Sequence, residues 1–327
     1  MRKLRLCMKD IISIVIPAYN REKQIARCLD SLLSQSYEYM EIIVVNDGST
    51  DNTKQILEDY QKRFSNKLIV IHTENRGVSE ARNKGIERVS GKYMGFVDSD
   101  DYVAKEMYER LYAKITEDDF DVVACNSLSI YPDRKDEVNS GMYDYQDNHE
   151  LLIQAYTVLW NKLYKTDIVK KYHFKPNVWY EDVLILNQMY PEIKKVAGIS
   201  DIGYYYVQNE GSITYTYNDK LYQLVENMDD LVDYYRQHGY YDDYRGELEY
   251  TYVRYLFGTF IKRLAKAKDY KKFKKGTRYV MKKVNEQFPN YKKNRYLNEK
   301  NGKSTYLKRF NMLLATVIYF KEKNKMN

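Results

Sequence analysis

Apolar and polar positions along the first hundred residues switch repeatedly between two periods. Ile11 to Ile16 in "IISIVIPAYN" reads as a buried strand. In "EKQIARCLDSLLSQ", Ile25, Cys28, Leu29, Leu32 and Leu33 recur at three- and four-residue spacing, the stripe of an amphipathic helix. "MEIIVVNDGS" gives a second strand ending at Asn46, and "STDNTKQILEDYQKRF" supplies polar caps followed by a helix. "KLIVIH", "VSEARNKGIERV" and "KYMGFVD" continue as strand, helix and strand. This alternation predicts βαβ units and an α/β, Rossmann-like fold, a mainly parallel sheet flanked by helices. Ligands of such sheets bind beyond the carboxyl ends of the strands. Chemistry is therefore expected at Pro17 to Asn20, Asn46 to Ser49, Thr73 to Arg76 and Asp98 to Asp101.

Residues from about 104 to 215 have no clean period and carry both tryptophans, Trp160 and Trp179. Helical spacing returns at Leu221, Leu224, Val225, Met228, Leu231, Val232 and Tyr235, with Gly239 as a C-cap, and a second helix is expected over Glu247 to Lys266. The division that follows is a domain over 1–215, split near 105, and a basic, tyrosine-rich helical region over 216–327. The apolar run Met312 to Phe320 is too short to span a bilayer, and Lys308, Arg309, Lys321 and Lys323 flank it. It reads as an interfacial or oligomer-forming helix.

Composition sharpens this picture in one place. The chain of 327 residues carries a net charge of +7, but Ile261 to Asn327 holds 21 Lys and Arg against 4 Asp and Glu, leaving the rest acidic. Such asymmetry points to an anionic partner, a membrane surface or a polyanion. Cys7, Cys28 and Cys125 form no close pair, which argues against a disulfide framework or zinc site and for a reduced, cytoplasmic protein. Neither a secretory leader nor a run of about 20 apolar residues is apparent. Localisation is expected to be cytoplasmic, peripheral on the inner face of the plasma membrane.

Familiar phosphate-binding devices are missing. None of the 14 glycines forms G-x-G, and "NGKST" at Asn301 has Leu297 where a P-loop needs glycine. Instead, "GKYMGFVDSDD" runs an apolar strand into Asp98, Ser99, Asp100 and Asp101. Asp98 and Asp100 are two apart on an extended segment, so their side chains project the same way. Paired carboxylates of this kind hold Mg²⁺ or Mn²⁺ together with substrate phosphates; a solvated acidic turn is the plainer alternative.

In order, "SIVIPAYNREKQIARCLDSLLSQSY", "EIIVVNDGSTDNT", "NRGVSEARNKGI" and "GKYMGFVDSDD" resemble the successive motifs of the family 2 glycosyltransferases, inverting enzymes of GT-A fold. The resemblance is dense over residues 11 to 105 and recurs at "WNKLYK", "WYEDVL" and "YYYVQNEGSIT". It implies a divalent metal, Mn²⁺ or Mg²⁺, with Asp100 as direct ligand and Asp98 as its partner toward ribose and metal. Asp47 would read the base, although taken alone it reads as an Asx turn or helix cap before Gly48. Tyr19 would cover the base, with Pro17 and Ala18 offering backbone. Arg82 would face the nucleotide, where a surface ion pair is the alternative, with Asn75 and Ser99 nearby. The Asp of the E-D pair is the base in similar enzymes, which makes Asp182 the candidate and Glu181 its positioning neighbour. Trp160, Lys162 and Trp179 are candidates for sugar and acceptor contact. Val207 and Asn209 stand where relatives often carry arginine in a loop closing on the diphosphate, leaving Ser212 as a donor there.

The expected reaction moves a sugar from a UDP-sugar to a hydroxyl of a cell-surface glycan, in capsule, exopolysaccharide or teichoic acid synthesis. The acceptor is lipid-linked or polyanionic on this reading, nucleic acid is not a partner, and the C-terminal region would meet a membrane surface or a second copy of the chain. Two other readings remain open on the residues. A nucleotidyltransferase also uses paired carboxylates, but its glycine-rich basic loop is missing from "PAYNREKQ". A non-catalytic polyanion- or membrane-binding module would use only the basic tail.

Overall fold

The computed structural model describes residues 10–140, 148–208, 217–299 and 301–325. In chain order the elements are β1 (Ile12–Ala18), α1 (Ile25–Leu33), β2 (Met40–Asp47), α2 (Thr53–Arg63), β3 (Leu68–Thr73), α3 (Val78–Arg88) and β4 (Tyr93–Phe96). There follow β5 (Tyr102–Val103), α4 (Met107–Glu117), β6 (Val122–Ile130), β7 (Lys135–Val138), α5 (His149–Gln154), β8 (Lys162–Lys165), α6 (Thr166–Val169), α7 (Glu181–Met189) and β9 (Val196–Val207). The last elements are α8 (Gln223–Gln237), α9 (Arg245–Val253), α10 (Ile261–Ala265), α11 (Tyr270–Gln287), α12 (Gly302–Lys308) and α13 (Met312–Lys325).

Two compact units divide these elements. The described residues up to Asn148, with Ala155–Asn177 and Glu192–Gln208, make the first; His149–Gln154, Val178–Pro191 and the described residues beyond Gln208 make the second. Two short pieces of the stretch expected to be catalytic, carrying α5 and α7, thus pack with the C-terminal helices.

The first unit is a sheet of order β3-β2-β1-β4-β8-β6-β9-β5, with β7 on β6. β1 to β4 are mutually parallel, and β6 also runs parallel to β9. This is the α/β architecture expected. Its logic is in β1, all seven of whose residues are buried: a strand covered on both faces has no polar side, hence a run that is apolar except for Ser13, whose hydroxyl donates to Glu41. Gly85 lets α3 lie close on that strand, because a Cβ there would fall 2.3 Å from Val15 Cγ1. Cys28 and Cys125 are buried free thiols.

The second unit is helical. α9 continues through a π-helical stretch, Arg254–Phe260, into α10, so the single helix expected over 247–266 carries a wide turn that no residue pattern announces. Phe257 from that stretch stacks on Phe310 at 4.1 Å. Asp269 and Asn301 cap α11 and α12 by accepting from the amides of Lys272 and Ser304. Among the described residues no helix is long and apolar enough to cross a membrane.

Candidate active site

Because β1 to β4 run parallel, their following loops emerge along one edge of the first unit. The loops after β1 and β2 are laced together there. Asn20 holds a left-handed φ of 52°, its amide donates to Ser49 Oγ at 3.0 Å, and its Oδ1 accepts from the Thr50 amide at 2.8 Å. The amides of Arg21 and Glu22 donate to Thr53 Oγ1 (2.7 Å) and Asp51 Oδ2 (3.1 Å). Pro17 and Ala18 are buried and offer only backbone, whereas Tyr19 projects with 42% of its surface exposed.

Asp47 ends β2 almost fully buried, and both its oxygens are engaged: Oδ1 accepts from the Arg76 amide and Oδ2 from the Gly77 amide, each at 2.8 Å. It therefore fixes the loop after β3, leaving part of the roughly four-bond capacity of a carboxylate. Gly48, at φ +69°, completes the corner, since a Cβ there would lie 2.6 Å from the Asn75 nitrogen. Asn75 itself is exposed.

The acidic segment is a turn, not the extended segment expected: the Asp101 amide donates to the Asp98 carbonyl at 3.0 Å. Asp101 points inward, fully buried, and accepts from Tyr204 Oη and from the Val207 amide, both at 2.8 Å. Tyr204 Oη also accepts from the Asp98 amide at 3.1 Å. Asp101 and Tyr204 thus tie the turn to β9. Ser99 is buried, and Cys28 Sγ lies beneath the Asp98 carbonyl at 3.7 Å. Burial and the neighbouring Asp98 charge push the Asp100 carboxyl above its ordinary range; burial, Asp98 and Asp100 push Asp101 well above it.

Asp98 and Asp100 keep open faces, their side chains 30% and 29% exposed. Arg82 Nη2 reaches Asp98 Oδ1 at 3.1 Å, and its guanidinium lies over Phe174. Arg21 Nη2 lies 3.4 Å from Asp100 Oδ2, while Arg27 donates to the Asp100 carbonyl at 2.6 Å and covers Tyr102. Arg21 and Arg27 were not anticipated from the sequence. Their only signal is position: Arg21 follows "PAYN" directly, and Arg27 lies beside Cys28 on α1. Two half-open, mutually repelling carboxylates are hard oxygen donors that suit a divalent cation. Among the described residues no three acidic, His or Cys side chains converge as a complete cage. Such an ion would therefore complete its shell from phosphate oxygens and water, the usual habit of Mg²⁺.

Two expected sugar contacts are corrected. Lys162 is 1% exposed, and its Nζ donates to the carbonyls of Tyr156 (2.9 Å) and Val158 (2.7 Å) and to Asn161 Oδ1 (2.8 Å). All three donors are used, so it is a structural cation. Trp160 is 6% exposed and stacked on Tyr204 at 4.1 Å, bracing the residue that holds the acidic turn instead of presenting a platform.

The remaining candidates lie in the second unit. Trp179 donates its amide to Gln223 Oε1 at 3.0 Å, and Lys220 lies over its ring. Tyr180 holds a left-handed φ of 65° immediately before α7, a costly conformation for an aromatic residue. Its hydroxyl accepts from Arg263 at 2.7 Å, and Asn227 donates to its carbonyl at 3.3 Å. Glu181 and Asp182 form the first turn of α7 at this kink, both part-exposed, with Asp182 Oδ1 accepting from the Val183 amide at 2.8 Å. Ser212 and Asn209 lie outside the described residues.

A family model described as Glycosyl transferase family 2 matches residues 13–175. The glycosyltransferase GlyG of Streptococcus pneumoniae is 31% identical over 230 residues, 64% of this chain and 74% of GlyG. GlyA of the same organism is 30% identical over 251 residues, 72% of this chain, which spans only 36% of GlyA. The crystal structure of Staphylococcus aureus TarS 1–349 in complex with UDP-GlcNAc superposes with a TM-score of 0.68 at 23% identity, covering 96% of this chain and 91% of that one. TarS is a poly(ribitol-phosphate) beta-N-acetylglucosaminyltransferase, 30% identical over 225 residues, 65% of this chain and 39% of TarS.

Proposed function

The chain belongs to glycosyl transferase family 2, and from that premise we propose that it moves a sugar from a UDP-sugar to a hydroxyl of a cell-surface glycan or polyol-phosphate polymer, with inversion and with a divalent metal. The observation that carries this reading is the acidic turn. Asp98 and Asp100 stand half-open at the strand edge where such sheets take their ligands, and Arg21, which meets Asp100, also donates to the carbonyl of exposed Tyr19. The UDP-GlcNAc bound to TarS, whose fold this chain shares, supports UDP as the nucleotide.

Tyr19 covers the uracil, against the backbone of Pro17 and Ala18. Asp47 holds the loop of Asn75 at the base and keeps acceptor capacity for the uracil N–H. Asp98 and Asp100 would hold Mn²⁺ or Mg²⁺, which when bound neutralises charge on the diphosphate. Arg82, with Arg21, adds positive charge at the same turn. Asp182 takes the proton of the acceptor hydroxyl, and Glu181 positions the acceptor beside Trp179. The acceptor oxygen bonds to the anomeric carbon as the bond from that carbon to the phosphate oxygen breaks. The attack comes from the face opposite the departing UDP, which takes the electron pair, so an α-linked donor gives a β-linked product.

Calorimetric titration of UDP and a panel of UDP-sugars, with and without Mn²⁺, on wild type and Asp100→Ala tests this. Metal-dependent UDP binding lost in the variant is expected, and the tightest UDP-sugar names the donor. If no nucleotide binds under any condition, the acidic residues form only a turn and the reading fails.

A further inference from the structure

The C-terminal helix α13 is apolar around most of its circumference. One side packs inward: Ala315 and Tyr319 are buried, and Tyr319 meets Phe273 of α11 at 5.0 Å between ring centroids. The other side carries Leu313, Val317 and Phe320, which are 73%, 58% and 49% exposed. At 3.6 residues per turn these three fall within an arc of about 60°, directed away from Ala315 and Tyr319. Leu314 and Ile318 lie half-buried beside them. A helix apolar on opposite faces needs cover on both, and among the described residues its neighbours cover one.

Charge around the stripe identifies the other cover. Exposed Lys321 and Lys323 border it on either side. Tyr270, the first residue of α11, rests on Phe320 at 6.0 Å, and exposed Lys271 and Lys274 follow it. This ring belongs to a segment with 21 Lys and Arg against 4 Asp and Glu. Two copies meeting stripe to stripe would bring these cations together. The three side chains of each copy would together offer only about 350 Å², against the roughly 800 Å² per partner of a stable interface. An anionic lipid surface answers both features: acyl and glycerol layers accept the apolar stripe, and phosphates accept the lysines.

We propose that α13 docks this unit on an anionic bilayer surface, with Leu313, Val317 and Phe320 in the interfacial layer and Lys321 and Lys323 on lipid phosphates. The inference does not depend on the reaction the chain performs. The test is co-sedimentation of the full chain with vesicles of phosphatidylglycerol and phosphatidylcholine, and with phosphatidylcholine alone, across a salt series. Wild type partitions onto the anionic vesicles and leaves them as salt rises. The Leu313→Ser/Val317→Ser/Phe320→Ser variant, still folded by circular dichroism because these side chains are exposed, loses about tenfold or more in partitioning. Lys321→Gln/Lys323→Gln weakens binding and flattens its salt dependence, and Tyr39→Ser, an exposed aromatic in the first unit, changes nothing. Absence of binding to anionic vesicles, or equal binding by the triple-serine variant, overturns the proposal. So does a wild-type oligomer in sedimentation velocity that the triple-serine variant dissolves, which would make a second copy the cover.

Discussion

Tyr204→Phe isolates the tie that shapes the acidic turn. The ring survives and still stacks on Trp160, but one hydroxyl that serves two partners is removed. The fully buried Asp101 carboxylate keeps only the Val207 amide, and the Asp98 amide loses its acceptor. A buried hydrogen bond to a charged group contributes about 1.5–3 kcal/mol and a backbone one about 1 kcal/mol, so the expected loss is about 3 kcal/mol. For a chain of 327 residues that corresponds to roughly 4 °C in melting temperature. The loss also has a definite pH dependence. Burial and the two neighbouring carboxylates already raise the Asp101 pKa, and the Tyr204 hydroxyl is among the groups that lower it. Deleting that hydroxyl raises the folded pKa further. The charge-dependent part of the penalty is complete above the variant's raised value and fades as pH falls between the variant's and the wild type's folded pKa, because the unfolded chains titrate alike and cancel; it is gone once Asp101 is protonated in both folded proteins. Chemical denaturation of both proteins at pH 8 and pH 5 reads this directly. A loss under about 0.5 kcal/mol, or one that grows toward pH 5, would refute the account of Asp101 as a buried anion held by Tyr204.

Three other outcomes follow from the site. Gly48→Ala forces a side chain into a left-handed corner against the Asn75 nitrogen; denaturation should register a loss of about 1–3 kcal/mol, and calorimetry weaker UDP binding. Lys162→Met leaves three buried acceptors without their donor and should cost about 2–4 kcal/mol in stability while UDP affinity holds; a selective loss of acceptor binding at unchanged stability would restore Lys162 to the sugar site. Mn²⁺ affinity should decline as pH falls from neutral, earlier than an ordinary carboxylate would dictate, because burial and Asp98 raise the pKa of Asp100 and protons compete with the ion; a flat calorimetric profile from pH 7 to pH 5 argues against Asp100 as a ligand.

What the sequence disclosed divides by distance along the chain. β1 and β2 are legible because strands buried on both faces are apolar along most of their length, and the stripes of α1 and α8 because one side of each helix packs. The acidic turn is legible as composition but not as geometry. The spacing of Asp98 and Asp100 suggested an extended segment, whereas Asp101 turns inward to meet Tyr204 and Val207, and no local pattern couples those positions. Lys162 misled for a related reason. A lysine among aromatic residues looks like a surface contact until the carbonyls of Tyr156 and Val158, set by a tertiary bend, enclose its ammonium. Arg21 and Arg27 carry no local signal, since an arginine in a loop or beside an apolar stripe is commonplace, and only the fold brings them to Asp100.

The strap from β9 to Asp101 also has a consequence in time. Its partners are separated by 103 and 106 residues of chain. On a ribosome adding about 5–20 residues per second, at least several seconds pass between emergence of the acidic turn and emergence of the groups that donate hydrogen bonds to its buried member. During that interval β1 to β4 can pair, but Asp101 must stay in water. The turn closes only when the last strand of the first unit arrives. The acidic turn is therefore among the late features of this protein to form, and a nascent chain stalled before residue 204 would present the sheet with that turn unfinished.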